Sequence, residues 1–280
     1  MYTGFEIESD FIYDMDEVEI EYYKKIALNN YRSYKKSIQK TIGDRFVLKN
    51  DRIIEVKPIE EMWFPNVKCH IFLSHSHHDE DIALALAGFL KENCAVDVFV
   101  DSCIWKYSNK LLKQLDEHYC QTSYGHYDYS LRNTTTTQVH LILGMALAKM
   151  INNTECFMFL KTKNSAQRKN DVLISKTESA WICHELLIAS IIARRSKEIH
   201  RKEFRTEQSH SINESFQGIP KFIYDIGFID LKKLSFDRLL QIANLSNSEY
   251  YGDAIVSRAE RFLDLLYKKQ GIKEMQNING

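Results

Sequence analysis

The sequence has little glycine or proline, and it has no apolar run long enough to cross a membrane. Ten of the 280 residues are Gly and three are Pro, which excludes a collagen-like or low-complexity chain. The longest apolar runs, such as LILGMALA at 141–148, fall well short of the roughly 18 residues that a spanning helix needs. Because no basic region followed by an apolar one opens the sequence, we expect no secretory signal, no membrane partner and a cytoplasmic location.

An excess of charge of either sign is also missing. The 37 Lys and Arg residues balance 38 Asp and Glu residues, which leaves a formal net charge of −1. This balance gives no electrostatic argument for binding to nucleic acid. With 44% apolar residues, the chain is predicted to be globular and to bury its core without disulfides or a structural metal.

Paired cysteine motifs are absent as well. The six cysteines are scattered, which favours reduced thiols in a cytosolic protein over a disulfide framework. We expect each of them to act as a small buried hydrophobic side chain. They are Cys69, Cys94, Cys103, Cys120, Cys156 and Cys183.

From Val67 onward, short strand-like runs alternate with longer segments of helical periodicity. The strand-like runs are apolar on both faces, as in parallel sheets covered by helices. We therefore predict an α/β fold with a doubly wound, flavodoxin-like parallel sheet of about five strands and helices on both faces. The predicted strands are 68–75, 96–102, 156–162 and 221–227, and the predicted helices are 81–94, 136–153, 175–195 and 253–269.

Residues 1–66 have a different pattern, and we predict that they form an N-terminal extension of a domain that spans 67–280. Within this extension, 19–42 shows helical spacing and 45–58 indicates a possible hairpin. The extension is interpreted as a solvated amphipathic helix in preference to a binding face.

A doubly wound sheet binds ligands outside the carboxyl ends of its strands, near the point where the strand order reverses. The predicted loops at that edge are 74–80, 101–111 and 162–177. Residues 120–138 and 198–220 are also predicted to be loops, and no role is assigned to them.

Glu185 is the most informative single residue of the sequence. A carboxylate on an apolar helical stripe is costly unless it is paired or its pKa rises. It is therefore either a poised acid in a cleft, or a side chain that pairs with a distant cation or reaches solvent. The helix is predicted to begin at Ser175, with Glu178 completing a capping box. The neighbours of Glu185 one turn away are Trp181, Ile182, Ile188 and Ala189.

Hydroxyl and imidazole side chains follow the first predicted strand. Ser74, His75 and Ser76 could donate hydrogen bonds to a phosphate at the start of the next helix. The alternative is a capping loop, in which Ser76 or Asp79 caps the helix and the histidines are solvated.

The same segment is similar to a zinc motif. His75, His77 and Asp79 alternate as in the His-x-His-x-Asp-His motif of metallo-β-lactamases. The closing histidine position is Glu80, however, and that fold needs more strands and more glycine. We therefore predict no metal site here.

Two further candidates follow the second predicted strand. Asp101 ends the strand, and Trp105 is predicted to lie in the loop behind it. The indole could stack on a base or a pyridine ring, or it could anchor the loop on the protein.

Four segments, taken in order, resemble a bacterial Toll/interleukin-1 receptor (TIR) domain. The resemblance covers about 67–270, whereas 102–140 and 196–219 depart from the compact family pattern. Ser179, Trp181 and Glu185 match the Ser…Trp…Glu signature of that family. The matching segments are CHIFLSHSHHDEDIALALAGFL (69–90), VDVFVDS (96–102), TECFMFLKT (154–162) and SAWICHEL (179–186).

Many bacterial TIR domains cleave NAD⁺, and several serve in antiphage defence of the Thoeris type. The resemblance implies that Glu185 is the catalytic glutamate and that NAD⁺ is a substrate, with no other cofactor and no metal. It also implies a product, ADP-ribose or a cyclic isomer, that a downstream effector reads as an antiviral signal. The residues implied to contact NAD⁺ are Ser74, His75, Ser76, Asp101, Trp105 and Trp181.

The resemblance also implies self-association through TIR surfaces, in which 102–111 completes a neighbour's site. The alternative function is a non-catalytic TIR scaffold that acts by self-association and partner recruitment. Glu185 separates the two, because a scaffold needs no acid at that position.

Overall fold

A five-stranded, all-parallel sheet forms the centre of the protein. In the computed structural model, its strands are β1 (Thr3–Glu8), β2 (Ile71–Ser74), β3 (Val98–Val100), β4 (Cys156–Lys161) and β9 (Lys232–Leu234). They lie side by side in the order β3-β2-β4-β1-β9. The structure describes residues 1–8, 15–45, 56–64, 67–100, 102–169, 172–173, 175–204, 224–225, 231–248 and 257–272.

Helices cover the sheet, and two small antiparallel pairs lie outside it. β5 (Arg168–Lys169) pairs with β6 (Val172–Leu173), and β7 (Lys176–Thr177) pairs with β8 (Tyr224–Asp225). The helices are α1 (Glu17–Arg45), α2 (Val56–Trp63), α3 (Glu80–Cys94), α4 (Ser102–Leu115), α5 (Tyr129–Asn153), α6 (Ala180–Ile191), α7 (Lys197–Phe204), α8 (Phe236–Ser248) and α9 (Arg258–Lys269).

Each face of the sheet has its own hydrophobic core. The face that carries Ile71 and Leu73, here called face one, packs against α1, α3, α8 and α9. The face that carries Phe72, here called face two, packs against α2, α4, α5 and α6. On face two, the ring of Phe72 lies 5.7 Å from that of Phe157. Because strands buried on both faces read as continuous apolar runs, the predicted α/β fold, with a parallel sheet of about five strands and helices on both faces, is confirmed.

The N-terminal residues supply an interior strand that the sequence did not predict. β1 pairs with β4 from Thr3 opposite Cys156 to Glu8 opposite Lys161. In the flavodoxin-like strand order 2-1-3-4-5, β1 occupies the fourth position, counted from the edge formed by β3. Residues 1–8 therefore complete the sheet of the domain that was predicted to begin at residue 67.

The described residues of the predicted strand 221–227 lie outside this sheet. These residues, 224–225, pair with β7 instead. β1 was not predicted because its acidic residues interrupt the apolar pattern that is typical of a buried strand. Lysines on the two neighbouring strands neutralise the charges of these acidic residues. Lys161 Nζ lies 3.0 Å from Glu6 Oε1, and Lys233 Nζ lies 3.3 Å from Glu8 Oε1.

Several segments that were predicted to be loops form helices. Residues 102–111 lie in α4, and α5 begins at Tyr129, inside the predicted 120–138 loop. Asp128 caps α5, since its carboxylate accepts a hydrogen bond from the N–H of Leu131 at 2.9 Å. The predicted hairpin at 45–58 lies mostly outside the described residues, and its last residues belong to α2.

The described part of the predicted 198–220 loop is helical and belongs to α7, and 205–220 lie outside the described residues. Arg201 donates hydrogen bonds to both oxygens of Glu155 and to both oxygens of Asp264, at 3.0–3.1 Å. Burial raises the pKa of the Glu155 carboxyl, although Arg201 opposes the shift.

The cysteine prediction is confirmed where the side chains are described. Cys69, Cys94, Cys120 and Cys156 are buried free thiols, and Cys183 is a half-buried one. None of the helices in the described part of the chain is long and apolar enough to cross a membrane.

His70 is a buried side chain next to β2 that accepts a hydrogen bond through a ring nitrogen. Its Nδ1 accepts the N–H of Asp97 at 3.0 Å, which requires that this nitrogen carry no proton. Burial lowers the pKa of His70 from 6.5 to about 4, although the Asp97 carboxylate opposes the shift.

We expect the free energy of unfolding to fall as the pH is lowered from 6.5 towards 4. In that range the unfolded chain protonates His70 and the folded protein does not, so acid favours unfolding by up to about 1.4 kcal/mol per pH unit. Urea denaturation at a series of pH values measures the slope. His70→Asn keeps an acceptor and removes the titration, so its slope should be smaller. An unchanged slope would assign the acid sensitivity to other groups.

Candidate functional site

The strand order reverses between β2 and β4. The chain leaves β2 for β3 on one side and later returns to β4 on the other side. Ser74, the last residue of β2, lies opposite Phe159, and β4 runs on to Lys161. In open α/β sheets, the crevice at such a switch point is the usual ligand site.

A capped helix brings a carboxylate to the face-two side of this crevice. α6 begins after Ser179, whose hydroxyl accepts a hydrogen bond from the N–H of Ile182 at 3.2 Å. The predicted capping box of Ser175 and Glu178 is therefore wrong, because the chain before Ser179 forms strand β7. Glu178 is exposed, and its Oε1 accepts a hydrogen bond from Gln167 at 3.4 Å.

Glu185 of α6 is completely buried beside Ser74, the last residue of β2. Its side chain is 0% exposed, and its Oε2 accepts a hydrogen bond from the Ser74 hydroxyl at 2.8 Å. The alternative in which Glu185 reaches solvent is therefore wrong. Ser74 is also 0% exposed, so the two side chains form a polar contact that solvent does not reach.

Trp181 lies one turn before Glu185 on α6 and contacts two histidines edge-on. Its ring is 5.8 Å from that of His140 and 5.9 Å from that of His184. Burial lowers the pKa of both histidines, with a backbone hydrogen bond at Gly144 opposing the shift at His184. The His140–Trp181 contact therefore joins α5 to α6 near Glu185.

The turn after β2 is a short 3₁₀ helix that covers the end of the strand. His75 is buried, and the Ser76 hydroxyl accepts a weak hydrogen bond from the N–H of His78 at 3.4 Å. Ser76 thus caps the 3₁₀ helix and not α3, the helix that the alternative interpretation had it cap. His77 and His78 are exposed. Within the described ranges, no group of three or more His, Cys, Asp or Glu side chains could hold a metal ion.

Asp79 joins the ends of β2 and β4 at the N-terminus of α3. Its Oδ2 accepts a hydrogen bond from Thr162 Oγ1 at 2.5 Å, and its Oδ1 accepts one from Asn164 Nδ2 at 2.6 Å. We call these three residues the Asp79 latch. Asp79 is 2% exposed, and its side chain makes no capping hydrogen bond to α3.

The structure brings together only some of the predicted site residues. Ser74 and Glu185 are in direct contact, and His75 and Ser76 follow Ser74 in the chain. Asp101 lies outside the described residues. Trp105 belongs to α4, not to a loop, and its side chain is not among those described.

The Asp79 latch was missed, although its parts were visible in the sequence. Asp79 was considered only as a helix cap or a metal ligand. Thr162 and Asn164 lie directly after β4, in the predicted 162–177 loop, and polar residues at that place in a parallel sheet are the available signal.

Comparisons with known proteins do not identify the chain. No family model matches it, and neither the curated proteins nor the solved structures give a match. Because a fold of this class supports many functions, the function has to be argued from the site.

Proposed function

We propose that the protein cleaves the nicotinamide–ribose bond of NAD⁺, with Glu185 as the catalytic residue. The observation that carries the proposal is the fully buried carboxylate of Glu185, held by Ser74 at the switch-point crevice. A carboxylate that is removed from water interacts more strongly with positive charge than an exposed one does. It is therefore suited to a reaction that develops positive charge on a sugar.

The reaction breaks the bond between the anomeric carbon of the ribose and the ring nitrogen of nicotinamide. The electron pair leaves with the neutral nicotinamide, so no general acid is required, and the ribose becomes oxocarbenium-like. Glu185 stabilises this cation, in the manner of one carboxylate of a glycosidase. Water then attacks the anomeric carbon and loses a proton to give ADP-ribose. Attack by another group of the same molecule gives a cyclic isomer.

Access to Glu185 is part of this proposal. The carboxylate is enclosed in the conformation described, so the nicotinamide ribose reaches it only if the face-two side of the crevice opens. A site that opens for the substrate and then closes excludes water from the cation. As the resemblance implies, we place the product in antiviral signalling and expect that assembly completes the site.

The test is to incubate the purified protein with NAD⁺ and to identify the products by mass spectrometry. Release of nicotinamide with ADP-ribose or an isomer of cyclic ADP-ribose supports the proposal. Unchanged NAD⁺, with and without conditions that promote assembly, contradicts it.

Loss of the Ser74 hydroxyl should slow the reaction without abolishing it. In Ser74→Ala, Glu185 keeps its place on α6 but loses the donor that fixes Oε2, so we expect kcat to fall about tenfold. Ser74→Thr keeps a hydroxyl and serves as the control, and steady-state nicotinamide release measures both. Equal kcat values for Ser74→Ala and wild type would remove Ser74 from the site.

One observation favours the alternative, a scaffold that acts by self-association. Exposed apolar side chains lie on α5 and α6, which are neighbours on face two, and such surfaces often bind other proteins. Sedimentation together with the NAD⁺ assay of the same samples distinguishes the two functions, because a scaffold assembles without consuming NAD⁺. The exposed residues are Leu141, Met145, Leu187 and Ile191.

A further inference from the structure

The Asp79 latch fixes the turn that follows β4. The Thr162 hydroxyl donates its proton to Asp79 and accepts the N–H groups of Asn164 at 3.0 Å and Ser165 at 3.1 Å. Ser165 Oγ accepts the N–H of Thr162 at 2.8 Å and donates to the carbonyl of Leu160 at 2.9 Å. Two backbone N–H groups of the turn therefore bond to one hydroxyl, and that hydroxyl donates its own proton to Asp79.

The latch spans the crevice on the side opposite Glu185. Asp79 belongs to the segment after β2 and to the start of α3, which packs on face one. Thr162 and Asn164 belong to the segment after β4. Glu185 lies on α6, which packs on face two. The ends of β2 and β4 border the crevice. On face one the Asp79 latch joins these two ends, and on face two the Ser74–Glu185 contact lies beside them.

We infer that Asp79 is a positioning residue for the NAD⁺ site, because the latch sets the position of the turn after β4 and with it the width of the crevice. This inference rests on the proposed function. Asp79 is not expected to touch the reacting atoms, which lie near Glu185. Losing the latch should therefore weaken substrate binding more than it slows the chemical step.

The first test is the Asp79→Asn variant. An amide at this position can accept from Thr162, and Asn164 has to turn its amide oxygen towards it to keep the second bond, so both hydrogen bonds lose their charged acceptor and become weaker. We expect the KM for NAD⁺ to rise about tenfold while kcat stays within about twofold of wild type.

Exchanging the two groups should restore the latch. In the Asp79→Asn, Asn164→Asp double variant, the amide and the carboxylate change places, and their hydrogen bond can form again with its direction reversed. We expect KM to return to within about threefold of wild type. Lys163→Ala is the control, because Lys163 is exposed in the same turn and takes no part in the latch.

A second pair of variants tests the hydroxyl. Thr162→Ser keeps the donor to Asp79 and should leave KM within about twofold of wild type, whereas Thr162→Val, of similar shape, should raise KM about tenfold. Melting temperatures are measured for all variants, so that kinetics are compared only where the protein is folded.

The outcomes separate the inference from the function on which it rests. If wild-type protein releases no nicotinamide from NAD⁺, the proposed function and the inference both fail. If wild type is active and Asp79→Asn lowers only the melting temperature, with KM unchanged, the latch is purely structural and the inference alone is wrong. A raised KM that the double variant does not restore also overturns it.

Discussion

A Glu185→Gln protein is expected to fold like wild type and to release nicotinamide from NAD⁺ at least about 10³ times more slowly. The substitution keeps the size of the side chain, and its amide oxygen can accept the Ser74 hydroxyl hydrogen bond as Oε2 does. What it removes is the negative charge. If the charge stabilises the ribosyl cation, the loss appears in kcat, since the cation exists only after the bond begins to break.

A second glutamate of the same segment provides the matched control. Glu178 is exposed before the start of α6, so Glu178→Gln removes the same charge in the same region without changing the buried site. Its kcat should stay within about twofold of wild type. Nicotinamide release by Glu185→Gln at a rate within tenfold of wild type, in a protein with an unchanged melting temperature, would leave Glu185 without a catalytic role.

Much of the sheet could be predicted because its strands are buried on both faces. β2, β3 and β4 lie within three of the four predicted strands, and each of them has an apolar run at its centre. β1 and β9 were missed for the opposite reason. Their polar residues, such as Glu6 and Lys233, are neutralised by partners on neighbouring strands. Those partners are close in space and far apart in sequence, so a local pattern does not contain them.

In the candidate site, too, the local sequence predicted single residues but not their contacts. Glu185 stood out because its apolar neighbours lie on its own helix, where helical spacing alone places them. Its contact with Ser74 joins residues 111 positions apart and follows only from the sheet order. The Asp79 latch likewise joins two loops that the fold brings together, so the sequence could indicate each polar residue at a strand end but not the pairs they form.

The close approach of α1 to α3 explains a second large expected effect, on stability. Gly88 lies in the middle of α3, and a Cβ at this position would overlap the carbonyl oxygen of Tyr23 and lie 2.5 Å from its carbonyl carbon. Tyr23 belongs to α1, and its ring packs edge-on against Phe89 at 5.6 Å. Because the overlapping atoms are backbone, no side-chain rotation relieves the clash, and α1 must move away from α3.

We therefore expect Gly88→Ala to lower the free energy of unfolding by about 2–3 kcal/mol, although alanine favours a helix by about 1 kcal/mol. Gly144→Ala is the matched control, since this glycine is also helical and its Cβ would approach only the end of the His184 ring, at 3.1 Å. Its change should stay within about 1 kcal/mol. Urea denaturation of both variants measures the difference. Equal free energies of unfolding for the two variants would mean that α1 and α3 do not touch at Gly88 and that α1 packs at a greater distance from α3.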